Sequence, residues 1–212
     1  MVVIVRVVKE HDERKNEIID TAARIFGQKG YDKSSVNDIL NTIGIAKGTF
    51  YHYFKSKEEV LDAVIGKATE MIEERVSEVA GNAALSPEDK LLGVFQAMQI
   101  ENQMEEGFLE EMHRPENALM HQKSLVSIMN VLTPVLVEIV QEGNEKGDFC
   151  SEYPEQYMQI FLASATTLLD DGIFELAPEK QEGVFLALIT LLEKMLGVEA
   201  GRFMKKISAY QK

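Results

Sequence analysis

The chain is short of cysteine, tryptophan, proline and positive charge. Its 212 residues include one Cys, no Trp and five Pro, and 22 Lys+Arg face 35 Asp+Glu. A lone Cys150 excludes an intramolecular disulfide and a Cys-x-x-Cys metal knuckle, so a reducing compartment is expected. No window reaches about 18 unbroken apolar residues, the length a membrane-spanning helix needs. Met1–Val8 is apolar and β-branched, but Arg6 interrupts it and no small-residue cleavage site follows, so a signal peptide is not expected. The expectation is a soluble cytoplasmic protein with no membrane partner. Strand-like alternation is missing as well, with Met1–Val8 the only β-prone piece. Gly44 and Gly48 form no phosphate-loop pattern. Glu110-x-x-His113 is the step used in di-iron bundles, which need a second copy. The residues three before His11, His52 and His121 are Val8, Thr49 and Ala118, so no copy exists. Neither an enzyme, a cofactor nor a metal site is expected.

The net charge of −13 argues against nucleic acid until the chain is divided. Residues 1–55 hold nine Lys/Arg and seven Asp/Glu, a net of +2; the remainder holds thirteen and twenty-eight, a net of −15. A mildly basic head precedes an acidic body, and only the head suits a phosphate backbone.

What is present is helical periodicity. Ile18, Ala22, Ile25 and Phe26 share one face, and Gly30 ends that helix with Tyr31 packing back onto it. Ser35-Val36-Asn37-Asp38 opens a second helix through a hydroxyl N-cap and a first-turn carboxylate. Its stripe is Val36, Ile39, Leu40 and Ile43, and Gly44 stops it. Lys47 to Phe54 reads as a third short helix. Ser56-Lys57-Glu58-Glu59 is a capping box that opens a helix of about 25 residues ending near Gly81. Pro87, Pro115, Pro154 and Pro178 each precede a further periodic run, at the position where a missing N–H costs least. Pro134 falls inside one, predicting a kink or two helices. The fold class is all-α, with about nine helices, three in the head and six in the body. The domains read as an extension at 1–10, a DNA-binding head at 11–56 and a body at 57–212.

Two short helices joined at Gly44, with a longer helix before them, form the helix-turn-helix pattern. Lys47 offers a point charge to phosphate, and Gly48 lets backbone approach closely. Thr49, Tyr51, His52 and Tyr53 present hydroxyl, imidazole and aromatic groups, while Lys55 and Lys57 add charge. Phe50 and Phe54, four apart, face the head's core. The bland alternative is a small solvated helix pair with a few lysines.

The run Gly44-Ile45-Ala46-Lys47-Gly48-Thr49-Phe50-Tyr51-His52-Tyr53-Phe54-Lys55-Ser56-Lys57-Glu58 resembles the recognition-helix signature of the TetR family of bacterial transcriptional regulators. The residues before it also fit, from Ile19, Ala22-Ala23-Arg24-Ile25-Phe26 and Gly30-Tyr31 to Ser34-Ser35-Val36-Asn37-Asp38-Ile39. The resemblance covers residues 14–60. It implies a homodimer whose heads occupy successive major grooves of a palindromic operator, released when a small molecule binds the body and shifts the fourth helix. By the resemblance Ser35, Lys47, Thr49, Tyr51 and Lys57 match phosphate-contacting positions, and Gly48, His52 and Tyr53 lie near bases. Ala46 belongs to the same surface but stands where serine is frequent, removing one hydroxyl contact. The Met1–Glu10 extension is either an arm reaching DNA through Arg6 and Lys9 or a disordered start.

The family pairs its last two helices across a dimer interface, which here implicates Phe161, Ser164, Ala165, Leu168, Phe185, Leu188, Ile189 and Leu192. Burial in one monomeric core is the alternative. A pliant, Met-rich effector pocket is expected among Phe95, Met98, Gln99, Asn102, Met112, His113, His121, Met129, Thr166, Thr167 and Asp170. The reading is a ligand-released repressor. Its rivals are a TetR-like activator and an all-α dimeric binding or interaction protein without DNA affinity.

Overall fold

A computed structural model describes residues 2–98 and 112–210. Among these the helices are α1 Val2–Lys29, α2 Val36–Ile43, α3 Lys47–Tyr53, α4 Lys57–Ala80 and α5 Pro87–Met98. A 3-10 turn at Pro115–Asn117 leads into α6 Ala118–Lys146, followed by α7 Pro154–Leu168, α8 Pro178–Leu196 and α9 Arg202–Tyr210. No strand occurs among the described residues, and the all-α expectation holds. The helical backbone begins at Val2, which corrects the β-prone reading of Met1–Val8. Nothing from Val2 to Phe26 is Gly or Pro, so α1 meets no breaker there, and β-branched propensity is too weak to oppose propagation.

The described chain forms two compact units. One comprises residues 2–68 and 112–124, the other 69–98 and 125–210. Helices α4 and α6 therefore each contribute to both.

The first unit is built on Ile18, Ala22 and Phe26 of α1, Ile39 of α2, Phe50 of α3 and Val60 and Leu61 of α4, all at or near full burial. Gly30 ends α1 at φ 88°, where a Cβ would also lie 2.8 Å from that of Glu116, so both torsion and space require glycine. Tyr31 then sets its ring edge-on to Phe26 at 5.1 Å. The start of α6 is stitched into the same unit. Met120 is buried in its core, and Lys123 reaches Asp62 at 2.7 Å and Glu58 at 2.9 Å. Those two carboxylates, Asp62 first, push the Lys123 ammonium up to about 12.

The N-terminus of α2 follows the expected chemistry. The Asp38 N–H donates to Ser35 Oγ at 3.2 Å, and the Ser35 N–H donates to Asp38 Oδ2 at 2.7 Å, a complete capping box. Lys29, 2.8 Å away, and then the Ser35 hydroxyl hold the Asp38 carboxyl down to about 2, against an ordinary 3.8. A carboxyl depressed by folding stabilises fully above its unfolded value and loses that contribution as pH falls through its folded one. An NMR titration of Asp38 should therefore show a midpoint near 2, with α2 amides losing protection only below about pH 4. A midpoint near 3.8 would mean that the box and the Lys29 pair are not formed in solution.

The second unit is a larger apolar core. Val76 of α4, Leu91 and Val94 of α5, Leu132 and Leu136 of α6, Met158 and Leu162 of α7, Leu192 and Leu196 of α8 and Phe203 of α9 are all buried in it. The stretch Pro115–Lys146 is long and apolar enough to cross a membrane by length and composition alone. Its apolar residues are instead distributed between the two cores, Met120 in the first and Leu132, Leu136, Ile139 and Val140 in the second. Pro134 does not divide α6 into two helices. It is exposed, where a solvent-facing carbonyl loses its partner at little cost.

Candidate nucleic-acid interface and effector cavity

The turn between α1 and α2 is fixed before α3 is reached. The Tyr31 N–H donates to Asn117 Oδ1 at 2.6 Å, and the Asp32 N–H donates to the Glu116 carbonyl at 2.9 Å. Lys57 spends its ammonium on the Tyr31 and Ser34 carbonyls at 2.8 and 3.0 Å, 4.0 Å from the centre of the Tyr31 ring. Burial pushes the Lys57 pKa down, with Asp32 opposing. Gly44 leaves α2 at φ 78°, and the Gly44 and Ile45 N–H groups both donate to the Leu40 carbonyl. A residue with positive φ is what turns the chain sharply enough to start α3 three residues later.

Helix α3 is anchored from beneath and open above. Phe50 is fully buried and Phe54 nearly so, which fixes the helix's rotation. Ala46, Lys47, Gly48, Tyr51 and His52 are consequently exposed, with Thr49 and Tyr53 half-buried beside them. Tyr51 is 46% exposed, far more than a tyrosine that served only the core. The Lys47 ammonium lies 5.8 Å from its ring centre. The face thus combines a cation, an uncluttered backbone at Gly48, a phenol and an imidazole.

Most of the DNA-facing residues expected from the sequence come together here. Two are already occupied. Ser35 holds the capping box, its hydroxyl donating to Asp38 Oδ2 at 2.7 Å, and Lys57 holds the Tyr31–Ser34 turn. Sequence reasoning also overlooked part of the surface. A groove of about 710 Å³ beside α3 is lined by Thr49, His52 and Tyr53 and, from α1, by His11, Glu13, Arg14 and Glu17. The unbroken helical run before Ile18 was the available signal, since His11 and Arg14 lie three apart on it.

The second unit contains a cavity of about 340 Å³. Leu92, Phe95 and Gln96 of α5, Phe161 and Ala165 of α7, Leu169 just after it, Phe185, Leu188 and Ile189 of α8 and Ile207 of α9 line it. Its size and apolar walls suit a small ligand, with the Gln96 amide as the polar group. Phe95 and Phe161 meet across it at 5.5 Å. Helix α9 is fastened by Glu193, a buried carboxylate that accepts the Gly201 and Phe203 N–H groups at 2.7 and 2.8 Å. Lys206 adds an ion pair to Asp89 at 2.8 Å, and Arg202 pairs with Glu88.

The expected pocket residues are distributed more widely than this cavity. Phe95 lines this cavity. Gln99, Asn102 and the Met98 side chain lie outside the described residues. Met112 packs on the core of the first unit, where His113 and His121 also set their rings 5.1 Å apart. Thr166 returns its hydroxyl to the Leu162 carbonyl at 2.8 Å, and Asp170 accepts the Gly172 N–H at 2.8 Å to close a turn. Met129 and Thr167 are half-buried and do not line the cavity.

The expected dimer residues divide. Phe161, Leu188, Ile189 and Leu192 are buried in the chain's own core, and Phe161, Ala165, Phe185, Leu188 and Ile189 line the cavity. Leu168 and Phe185 are exposed and Ser164 is half-buried. The apolar groups left outward on α7 and α8 are Ile160, Leu168, Phe185, Leu186 and Leu191. The reason is phase. A helix apolar at every position from Val184 to Leu192 except Thr190 carries no polar face to show which side turns inward.

Comparison with known proteins bears on both units. Residues 18–64 match the family profile described as bacterial regulatory proteins, tetR family, and residues 100–191 match that of the tetracyclin repressor-like C-terminal domain. The fatty acid metabolism regulator protein of Bacillus subtilis is 30% identical over 151 residues, which is 66% of this chain and 74% of that one. The HTH-type transcriptional repressor KstR2 of Mycolicibacterium smegmatis is 28% identical over 156 residues, 72% of this chain and 76% of that one. Among solved structures, RolR in complex with its ligand resorcinol superposes with a TM-score of 0.64 at 20% identity, covering 93% of this chain and 94% of that one.

Proposed function

The chain belongs to the TetR family of DNA-binding transcriptional regulators, which are not enzymes, and from that premise we propose that it is a homodimeric repressor released from a palindromic operator by an apolar small molecule. The observation that carries the reading is α3 itself. Phe50 and Phe54 lock the helix into the head while Lys47, Gly48, Tyr51 and His52 stay outside, an arrangement that serves no packing purpose. In the major groove, Lys47 and Tyr51 meet phosphates, and Gly48, His52 and Tyr53 approach base edges. Thr49 is the hydroxyl contact at the groove's edge, and Ser35 and Lys57 act chiefly by holding the turn that precedes α2.

A second copy is the natural cover for the outward apolar face of α7 and α8. An interface of this kind is self-complementary about a two-fold axis and presents two heads to two half-sites. The cavity of the second unit supports an effector that is mostly aliphatic or aromatic with one hydrogen-bonding group for Gln96. That a solved protein of this fold is complexed with resorcinol, and that relatives are named for repression and for fatty acid metabolism, supports regulation by a small organic molecule. The cytoplasm is the compartment in which such a regulator meets its operator.

Fluorescence anisotropy with duplex DNA from upstream of its own gene tests the proposal, with scrambled competitor and at least two salt concentrations. Specific binding is expected to survive physiological salt. Lys47→Ala should weaken binding to both duplexes about equally and make the salt slope shallower by about one. A variant that loses sequence preference while keeping the salt slope would remove Lys47 from the phosphate role. No binding to either duplex at low salt would favour a helical binding protein that does not engage DNA.

A further inference from the structure

The groove beside α3 contains a group that the helix-turn-helix reading leaves unused. His11 of α1 sets its imidazole edge-on to that of His52 at 5.7 Å, and both rings lie against Tyr53, at 4.7 and 5.1 Å. His11 and His52 are exposed. The remaining charged groups of the groove are Arg14, paired with Glu17, and Glu13, while Asp12 lies 3.5 Å from the His11 ring. Tyr53 is the other titratable side chain facing the pair from α3.

With both imidazoles neutral, the groove lining and the adjoining Asp12 carry one Arg against two Glu and one Asp, a net of −2; with both protonated the net is zero. The local charge therefore rises by two across the range in which imidazoles titrate, about pH 5 to 8. We propose that His11 joins His52 in the DNA interface, and that protonation of this pair offsets the groove's acidic groups and offers a phosphate two cationic donors. The inference rests on the DNA-binding reading and adds to it a residue of α1 and a dependence on pH.

The wall shared with α3 selects the occupant. Thr49, His52 and Tyr53 line the groove and also belong to the helix that enters DNA, so a backbone segment flanking that helix has the groove as its neighbour. Two imidazolium rings 5.7 Å apart repel each other, and a phosphate beside both relieves the repulsion. Protonation and DNA binding thus favour each other, and the coupling is reciprocal. Each proton taken up on binding tightens DNA by up to about tenfold per unit fall in pH.

The test is anisotropy with the full-length protein, a random-sequence duplex and the upstream duplex, at about 50 mM salt and at several pH values. For the wild type, affinity for both duplexes should rise about tenfold from pH 7.5 to pH 6, and the salt slope should steepen by about one. His11→Gln and His52→Gln should each reduce that rise, and the double variant should flatten it to less than about twofold. Thermal melts at both pH values establish that the variants are folded. A double variant that keeps the wild-type pH dependence overturns the proposal, as does an absence of DNA binding at every pH. Equal affinity for the two duplexes with the pH dependence intact would support the imidazole pair while counting against the specific-regulator reading.

Discussion

Leu186→Glu is expected to give a folded monomer that has lost tight operator binding. Leu186 is 41% exposed on α8, so a carboxylate there meets water in the isolated chain and costs the core little. In a two-fold interface the same carboxylate is buried twice, once from each copy, with no partner to neutralise it. Desolvation of an unpaired charge costs several kcal/mol even after relaxation, enough to abolish a dimer at micromolar concentration. With the dimer lost, each head binds one half-site alone, and affinity should fall by about 10² or more. Sedimentation velocity and anisotropy on the same sample read both effects. Ile160→Glu on α7 should behave alike. Leu188→Glu should not: Leu188 is buried beside the cavity, and its substitution should unfold the second unit before it informs on assembly. A Leu186→Glu protein that sediments as a stable dimer would place the interface elsewhere.

The contrast between Leu186 and Leu188 indicates where sequence reading succeeds and where it stops. In the first unit each apolar stripe is offset by polar residues, and caps are written in residue types. Ser35 with Asp38, Gly30 and Gly44 therefore appear where expected, and Phe50 and Phe54 point inward. Turn chemistry is local, so it is legible locally. In α8 the pattern is saturated, and only the neighbours decide that Leu188, Ile189 and Leu192 face in while Leu186 and Leu191 face out. The cavity was hidden for a related reason. It is walled by helices distant in sequence, from Leu92 to Ile207, and no local pattern records that they meet. Ser35 and Lys57 show a third limit, because a residue type suited to phosphate is equally suited to a backbone carbonyl or an N-cap.

The same limit applied to Asn117, a lone amide after a proline that carried no sequence signal. Asn117→Ala is expected to loosen the DNA-binding head. Asn117 is fully buried, and its Oδ1 accepts the Tyr31 N–H at 2.6 Å across 86 residues of sequence. Alanine leaves that amide buried without its acceptor, a cost of about 1–3 kcal/mol, because water cannot replace the lost bond. The consequence passes to the DNA surface through Tyr31. Its carbonyl is one of the two that Lys57 holds, and the turn it begins delivers Ser35 to the cap of α2. A freed turn lets α2 shift against α1, and α3 follows through Gly44. We expect the Tyr31 amide to exchange about tenfold faster or more, and operator affinity to fall by a similar factor. Lys33→Ala supplies the comparison, since it removes only an exposed ion pair to Glu116 and should change exchange by less than about fivefold. If Lys33→Ala and Asn117→Ala have equal effects, the clasp is electrostatic and the buried amide is incidental. If Asn117→Ala alone speeds exchange from Tyr31 through α3, the head's geometry is set by a side chain at the foot of α6, and displacing that helix's first turn is a direct way to release DNA.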